Sequence, residues 1–401
     1  MNLIDQDTLC FRKHIDSNYE PEKSIVLRYL KAFRFGTTAE EDSNFREWIK
    51  KTSIEEGSRI FRLFTHQGVS IFILDETSFM HTKTLKSIDG CITIAHCKSR
   101  GYDRVVFESG GNTGTALTRY GQKSGLETFF FIPEDNLCLL DSKVFKHPKS
   151  HLISVKNPGM VKDTVSKFSK WNEVRHIPET SWRYQASMFR GSFILEYMLL
   201  EGKFDWIIQT ISAAFGPIGI FRILYHFAHE LEKLPSFLGI QQEMNCPMYR
   251  AWKNQEKGIQ PESISSTGHL LTRIMYDVMP RSYGTLDSLN HLLTETGGDL
   301  ATINHEEYRN FMAQRFDDKG ILELLRERGI EITTNEKEVL EKTGLLALAG
   351  TINAIDQGSI PKGKKVLCCL TSGVSQVDGK AEPEYRINHI DPDLKEYIST
   401  L

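Results

Sequence analysis

Cysteine is scarce in this chain, and its cysteines do not form metal-binding pairs. Seven occur among 401 residues, none of them in a Cys-x-x-Cys arrangement. An odd number of thiols without metal spacing argues against a disulfide framework and against a structural zinc site, and it favours a reducing compartment. We therefore expect a cytoplasmic protein without a bound metal, with Cys368 and Cys369 buried in the apolar run KVLCCL.

Long apolar runs and an excess of one charge sign are also missing. No stretch approaches the roughly 18–20 apolar residues of a membrane-spanning helix. The opening sequence MNLIDQDTLCFRKHID lacks the basic-then-apolar order of a signal peptide. The formal net charge is −3, with acidic and basic residues interspersed. We therefore expect neither a membrane nor a nucleic acid as a partner.

What the chain does have is a regular alternation of strand and helix patterns from residue 80 onward. Candidate strands include RVVFES, TFFFIPE, DWIIQTIS, FLGIQQ and KKVLCCLTSG, and helical patterns stand between them. This alternation predicts an α/β protein with parallel sheets. We expect an N-terminal segment at 1–79 that packs on the large domain, a small α/β domain at 80–188 and a large α/β domain at 189–401. A cleft between the two domains would bind a small ligand.

A lysine stands near the predicted start of the first of these helices. Lys86 lies in HTKTLKSIDG. At that position the positive end of the helix dipole favours an uncharged amine, which is the form that nucleophilic and Schiff-base chemistry requires. Alone, one lysine is weak evidence, because most lysines are solvated.

A run of small and polar residues, SGGNTG at 109–114, joins the strand RVVF to the helix TALTRYGQKSG. Backbone N–H groups at a helix N-terminus form an anion site. The same glycines also suit a tight turn that requires positive φ. The residues alone do not decide between an anion site and a tight turn.

Small or hydroxyl-bearing residues also follow two later predicted strands. Residues 212–219, in TISAAFGPIGIF, follow a buried strand, and their small side chains let the backbone approach a phosphate closely. Pro217 suits a first helical turn. Thr371 and Ser372, in LTSGVSQVDG, follow the last predicted strand and by themselves indicate only a turn.

A nucleotide-dependent oxidoreductase is a competing hypothesis for residues 109–114. The dinucleotide fingerprint G-x-G-x-x-G needs a spacing of glycines that Gly110, Gly111 and Gly114 do not match. Glu134, after the next strand, could serve as the ribose-binding acid. The hypothesis explains neither Lys86 nor the later loops.

Taken together, the four segments resemble the fold-type II pyridoxal 5'-phosphate enzymes, and within them the threonine synthase group. That family has a lysine in a P-T-G-S-F-K-D-R-G-type stretch, then S-x-G-N-T, then a small-residue phosphate loop after a buried strand, and finally a strand that runs into L-T-G or L-S-G. HTKTLKSIDG, ESGGNTG, SAAFGPIG and KVLCCLTSG match these motifs in order, and Gly111 stands 25 residues after Lys86 (111 − 86). The likeness extends from about residue 70 to residue 380.

The resemblance implies a fold and a role for each matching position. The fold would be that of the tryptophan synthase beta-like enzymes, with two parallel-sheet α/β domains, the cofactor in the cleft between them, and a homodimeric assembly. Lys86 would hold the cofactor covalently and carry the substrate α-proton, Asn112 would bind the pyridine ring hydroxyl, and Thr371 or Ser372 would face the pyridine nitrogen. The substrate carboxylate would be received by Ser109, Gly110, Gly111 and Thr113. The cofactor phosphate would be held by Ala213, Ala214, Phe215, Gly216, Pro217, Ile218 and Gly219.

A hydroxyl at the pyridine nitrogen has a chemical consequence. Unlike a carboxylate, it does not keep that nitrogen protonated, so the cofactor is a weaker electron sink. The chemistry then tends toward elimination and replacement at the β or γ carbon of an amino-acid substrate. FESGGNTGTA and AFGPIG are also similar to the cysteate synthase branch, which replaces the phosphate of phosphoserine with sulfite.

The chain also departs from the family pattern. KSID stands where the family has K-D-R-G, and the phosphate loop has Ala213-Ala214-Phe215 where glycines and Asn are usual. For an anionic group on the substrate, WRYQASMFRGSF offers Arg183 and Arg190, either of which could instead be a surface residue. These departures keep open a second hypothesis, a non-catalytic ligand-binding relative of the same fold.

Overall fold

The structure is a computed structural model. It describes residues 11–177, 180–259, 266–277, 285–332, 334–335, 338–339, 342–372 and 381–401. Its strands are β1 Arg59–His66, β2 Val69–Asp75, β3 Arg104–Glu108, β4 Glu127–Pro133, β5 Ser150–Val155, β6 Arg175–His176, β7 Trp206–Thr210, β8 Ser236–Gln242, β9 Asp299–Ile303, β10 Arg315–Phe316, β11 Lys319–Gly320, β12 Thr334–Asn335, β13 Glu338–Val339, β14 Lys365–Leu370 and β15 Tyr385–Ile387. Its α-helices are α1 Ile25–Tyr29, α2 Ala39–Thr52, α3 Lys86–Ser99, α4 Asn112–Lys123, α5 Val161–Trp171, α6 Thr180–Leu200, α7 Phe215–His226, α8 Pro247–Lys253, α9 Leu286–Thr296, α10 His305–Ala313, α11 Ile321–Glu327, α12 Thr343–Asp356 and α13 Ile390–Ser399.

Two sheets organise the molecule. A six-stranded sheet has the order β1-β2-β14-β7-β8-β9, and a five-stranded sheet has the order β15-β5-β4-β3-β6. All pairings in the five-stranded sheet are parallel, and the six-stranded sheet has a single antiparallel pair, β1 with β2. The central strands are buried along nearly their whole length, as parallel strands covered by helices must be. The predicted α/β class with two parallel-sheet units is confirmed.

The chain crosses between the two sheets at both of its ends. The hairpin β1–β2, which precedes residue 80, lies beside β14 in the six-stranded sheet, with Lys365 opposite Ser70. Near the other end, β15 pairs with β5, with Tyr385 opposite Ile153, and therefore belongs to the five-stranded sheet. Residues 381–401, which the sequence assigned to the large domain, thus contribute a strand to the sheet that contains β3, β4 and β5. A strand of only three residues, Tyr385–Ile387, contains no local signal of the sheet that it joins.

Helix α3 is buried on every side, although its sequence suggests a single apolar face. Each residue from Ser87 to Cys97 is buried, because the helix packs against α2, α4 and α6. Gly90 allows the closest of these contacts, since a Cβ there would lie 2.6 Å from Cδ2 of Tyr120 on α4. The first residue of this central helix is Lys86.

The two adjacent cysteines of β14 lie in the apolar core. The thiols of Cys368 and Cys369 are buried in β14, as the sequence predicted. Across the described ranges, no helix is both long enough and apolar enough to cross a bilayer.

Candidate active site

Lys86 begins α3, as predicted, and its amine already has an acidic partner. Nζ of Lys86 donates a hydrogen bond of 2.6 Å to Oδ2 of Asp89, one turn along the same helix. The Lys86 side chain is 28% exposed, whereas that of Asp89 is 4% exposed. The amine therefore lies at the mouth of a buried site, next to a carboxylate with which it can exchange a proton.

The turn before Lys86 is fixed to the end of β14. The N–H of Leu85 donates to the carbonyl of Thr371 at 2.9 Å, and Thr84 forms an antiparallel bridge with Ser372. Thr371 and Ser372 are both buried. The structure thus brings together the predicted lysine and the two predicted hydroxyls, which are almost 290 positions apart in the sequence.

The asparagine loop at 109–114 is held between the two sheets. Gly111 has φ of 151°, a value that favours glycine. A Cβ on Gly110 would lie 3.1 Å from Cα of Ile274 and closer still to its carbonyl oxygen. Nδ2 of Asn136 donates to the carbonyls of Gly110 and Arg273, at 2.8 and 3.2 Å. The loop after β3 therefore touches the segment at 273–274 that follows β8, so strand ends from both sheets meet here.

Helix α4 begins inside this loop. Asn112 and Thr113 form its first turn and are half-buried, and Oγ of Ser109 accepts a hydrogen bond of 3.1 Å from the N–H of Gly111. Because α4 packs against α3, the predicted carboxylate-binding loop and Lys86 start two adjacent helices. N–H groups at the start of α4 are positioned to bind an anion.

The predicted phosphate loop connects β7 to α7. Ala214 has φ of 56° and ψ of 14°, the left-handed conformation, so it occupies the backbone state usually taken by glycine. Oγ1 of Thr285 donates to the carbonyl of Ala213 at 2.5 Å. Gly219 allows α7 to approach α6, because a Cβ there would lie 2.7 Å from the carbonyl oxygen of Tyr184. The loop retains a glycine-like shape despite its alanines.

The large side chain of Phe215 packs against α6. Its ring centroid is 5.3 Å from that of Tyr184, and the guanidinium carbon of Arg183 lies 5.4 Å from the Phe215 centroid. Phe215 is 9% exposed. Arg183 is therefore placed over the start of α7, where a cation–π contact holds it.

Arg190 is buried beneath the same loop, with 1% of its side chain exposed. Its Nε and Nη2 form a bidentate pair with the carboxylate of Glu76, and the Nη2–Oε2 distance is 2.6 Å. Nη2 also donates to Oε1 of Gln209 at 2.8 Å. Burial raises the pKa of the Glu76 carboxyl even though the guanidinium opposes this, and the same ion pair keeps the pKa of Arg190 above its ordinary value against the effect of burial.

Three residues of this site were not identified from the sequence: Glu76, Asp89 and Gln209. Two of them carried a usable signal. Glu76 follows directly on the buried strand VSIFILD, and Asp89 is three positions after Lys86 on a helix, where side chains share a face. Gln209, inside a buried strand, had no such signal.

The residues needed by the oxidoreductase hypothesis have other partners. Glu134 forms an ion pair with Arg386 near the C-terminus. Gly114 lies against Phe130, where a Cβ would be 2.6 Å from Cδ2 and nearer to other ring atoms. Its lack of a side chain therefore serves helix packing. Among the residues described, no cluster of three or more His, Cys, Asp or Glu side chains could hold a metal ion.

The arrangement fits pyridoxal 5'-phosphate. An amine lies at a helix start, the backbone of Thr371 and Ser372 adjoins the turn before it, and a second helix start with a glycine-like loop can take a phosphate. Nη1 of Arg190 is buried near this loop without a hydrogen-bond partner, and such a donor is matched by an anion. Phe215, the largest side chain of the loop, packs its ring on α6.

The same fold occurs in several solved structures. The chain matches O-ureido-L-serine synthase with a TM-score of 0.54 and 14% identity over 81% of this chain and 90% of that one. It matches maize serine racemase with a TM-score of 0.60 and 13% identity over 84% and 95%. A pyridoxal 5'-phosphate-dependent aspartate racemase gives 0.61 and 16% over 86% and 98%. The fold is that of the fold-type II pyridoxal-phosphate enzymes.

The sequence is also similar to those of two curated synthases. Cysteate synthase of Methanosarcina barkeri is 23% identical over 338 residues, which cover 81% of this chain and 76% of the relative. Threonine synthase of Methanosarcina acetivorans is 22% identical over 332 residues, covering 80% and 75%. No family model matches the chain. The chain is thus similar to cysteate synthase and threonine synthase over about four-fifths of its length, which confirms the predicted resemblance.

Proposed function

We propose that this enzyme carries out elimination or replacement at the β or γ carbon of an amino acid with an anionic leaving group. The observation that carries the proposal is the position of Lys86, which begins a buried helix, contacts Asp89 and adjoins Thr371 and Ser372. Likeness to cysteate synthase and threonine synthase over about four-fifths of the chain supports the same chemistry.

Lys86 and Asp89 have the geometry for proton transfer. When bound, the cofactor supplies an electron sink for negative charge at the substrate α-carbon. Lys86 would hold the cofactor and, once its amine is released by the substrate, remove the α-proton. Asp89, 2.6 Å from Nζ, would then hold the resulting ammonium in place.

Each of the two helix starts, that of α4 and that of α7, would bind a different anionic group. Ser109, Gly110, Gly111 and Thr113 would receive the substrate carboxylate at the start of α4, with Asn112 directed to the ring hydroxyl of the cofactor. The loop 213–219 would hold the cofactor phosphate at the start of α7. Thr371 or Ser372 would face the pyridine nitrogen, and a neutral hydroxyl there favours elimination and replacement over transamination.

The proposal includes two further expectations, one about the oligomeric state and one about the location of the protein. A homodimer follows from the resemblance, and sedimentation or light scattering of the purified protein would test it. A cytoplasmic location follows from the scarce, unpatterned cysteines in the sequence.

Release of inorganic phosphate tests the reaction class. Protein loaded with the cofactor would be incubated with O-phosphoserine, with and without sulfite, and with O-phosphohomoserine. We expect phosphate release from one of them, abolished in Lys86→Ala. A loaded protein that turns over none of these substrates would favour the non-catalytic hypothesis instead.

A further inference from the structure

An unusual buried donor lies next to the candidate phosphate loop. Nη1 of Arg190 is buried and has no hydrogen-bond partner, although the other guanidinium nitrogens are bound to Glu76 and Gln209. A buried charged donor without an acceptor is unfavourable. The open edge of the guanidinium therefore indicates an acceptor that binds there.

Nη1 faces the first turn of α7. A Cβ on Gly216 would lie 2.9 Å from Nη1 of Arg190 and closer still to Nε2 of Gln209. Only glycine at position 216 lets these two donor groups come so near to the backbone of the loop. The helix that begins here has 12 residues, so its dipole adds to the positive potential at the same place.

Glu76 fixes the orientation of the guanidinium. Its two carboxylate oxygens take Nε and Nη2, which leaves Nη1 as the remaining edge. Gln209 takes a second bond from Nη2 through Oε1, so its amide nitrogen is directed toward Gly216. A purely structural Glu76–Arg190 pair would account for Nε and Nη2, but it would not account for a free Nη1 beside a required glycine.

We propose that Arg190 and Gln209 bind the phosphate group of the cofactor, adding side-chain donors to the backbone site at the start of α7. This inference rests on the proposed function, because it assumes that the chain holds pyridoxal 5'-phosphate. It gives Arg190 a different role from the substrate contact that the sequence suggested. Arg183, which is half-buried and lies over the ring of Phe215, is left for that contact.

Discrimination between two cofactor forms tests the proposal without an activity assay. Pyridoxal 5'-phosphate and pyridoxal, which lacks the phosphate, would each be titrated into the apoprotein and followed by absorbance. In Arg190→Met/Glu76→Gln the preference for the phosphorylated form should fall about 10- to 100-fold, the effect of losing a hydrogen bond to a charged group. Affinity for pyridoxal should stay the same.

A matched pair controls for the loss of a buried ion pair as such. Arg28 and Glu196 form a largely buried one, with 12% and 9% of their side chains exposed, so Arg28→Met/Glu196→Gln should leave the preference unchanged. Gln209→Met, which keeps the Arg190–Glu76 pair, should lower the preference by a smaller factor, and its result decides the question if the double variant fails to fold. An unchanged preference in Gln209→Met and in every folded Arg190 variant would overturn the proposal. Failure of the wild-type protein to bind either form would instead refute the proposed function.

Discussion

Replacing Gly114 with alanine tests whether the asparagine loop depends on direct contact between α4 and β4. The added Cβ would lie 2.6 Å from Cδ2 of the Phe130 ring and nearer to Cε2 and Cζ. Carbon atoms in contact are normally about 3.5–4.0 Å apart, so either the ring or the helix has to move by more than about 1 Å. Phe130 is fully buried and contacts the rings of Phe107 and Phe145, at 5.7 and 5.9 Å between centroids, which limits its movement.

The expected net effect of Gly114→Ala is a loss of about 2 kcal/mol in the free energy of unfolding. Overpacking a core typically destabilises by about 1–3 kcal/mol, and a fully enclosed ring places this case at the upper end. The higher helix propensity of alanine offsets about 1 kcal/mol. A displaced α4 also moves Asn112 at its start, so cofactor affinity should fall as well.

Urea unfolding followed by circular dichroism measures the effect. Gly258→Ala is the control, because Gly258 is exposed and a Cβ there would meet no atom within 4 Å; its change should stay within about 0.5 kcal/mol. A Gly114→Ala protein as stable as the wild type would show that the close approach of α4 to Phe130 is not required.

Three further predictions concern single side chains. Ala214→Gly should raise the free energy of unfolding by about 0.5–1 kcal/mol, because relief of left-handed strain in an L-residue exceeds the added flexibility of glycine. Asp89→Asn should lower kcat about tenfold or more while borohydride still fixes the cofactor to Lys86, since it removes a charge-assisted hydrogen bond from Nζ. Burial lowers the pKa of the His151 imidazole. Its hydrogen bonds to the carboxylates of Glu384 and Glu127 outweigh this effect, so the pKa is raised. His151 should therefore stabilise the fold below its ordinary pKa of about 6.5, and this contribution should disappear as pH rises through the folded-state pKa.

Each of these has a direct check. Urea midpoints of Ala214→Gly and wild type are compared, and a less stable variant would contradict the strain assigned to position 214. For Asp89→Asn, an unchanged kcat would remove that residue from proton transfer. For His151→Gln, the free energy of unfolding is measured between about pH 6 and pH 8; the same slope as in the wild type would show that no proton uptake at His151 is linked to folding.

Local signals in the sequence were sufficient for the central strands β3, β4, β7, β8 and β14, for the α/β class and for the helix that begins at Lys86, but they did not indicate the edge strands β1 and β9. The order of the four motifs was sufficient for the resemblance, and the relatives named above confirm it. The contact between the turn before Lys86 and the end of β14 followed only from that order, since no local pattern joins residues so far apart.

Other features depend on contacts that a linear pattern does not contain. The Glu76–Arg190 pair joins residues 114 positions apart, one directly after β2 and the other on α6. Strand β15 joins the sheet of β5 across more than 200 positions. Ala214 takes a glycine-like conformation without being glycine. In each case tertiary packing decides the outcome, because the local residues allow more than one.

Borohydride reduction of the cofactor-loaded protein, followed by peptide mapping, tests the central claim most directly. The visible absorption band should be lost on reduction, and the cofactor should then be found on the peptide that contains Lys86. The Lys86→Ala protein should show neither the band nor the labelled peptide. A protein that stays colourless with added pyridoxal 5'-phosphate, or a label on another lysine, would contradict the account.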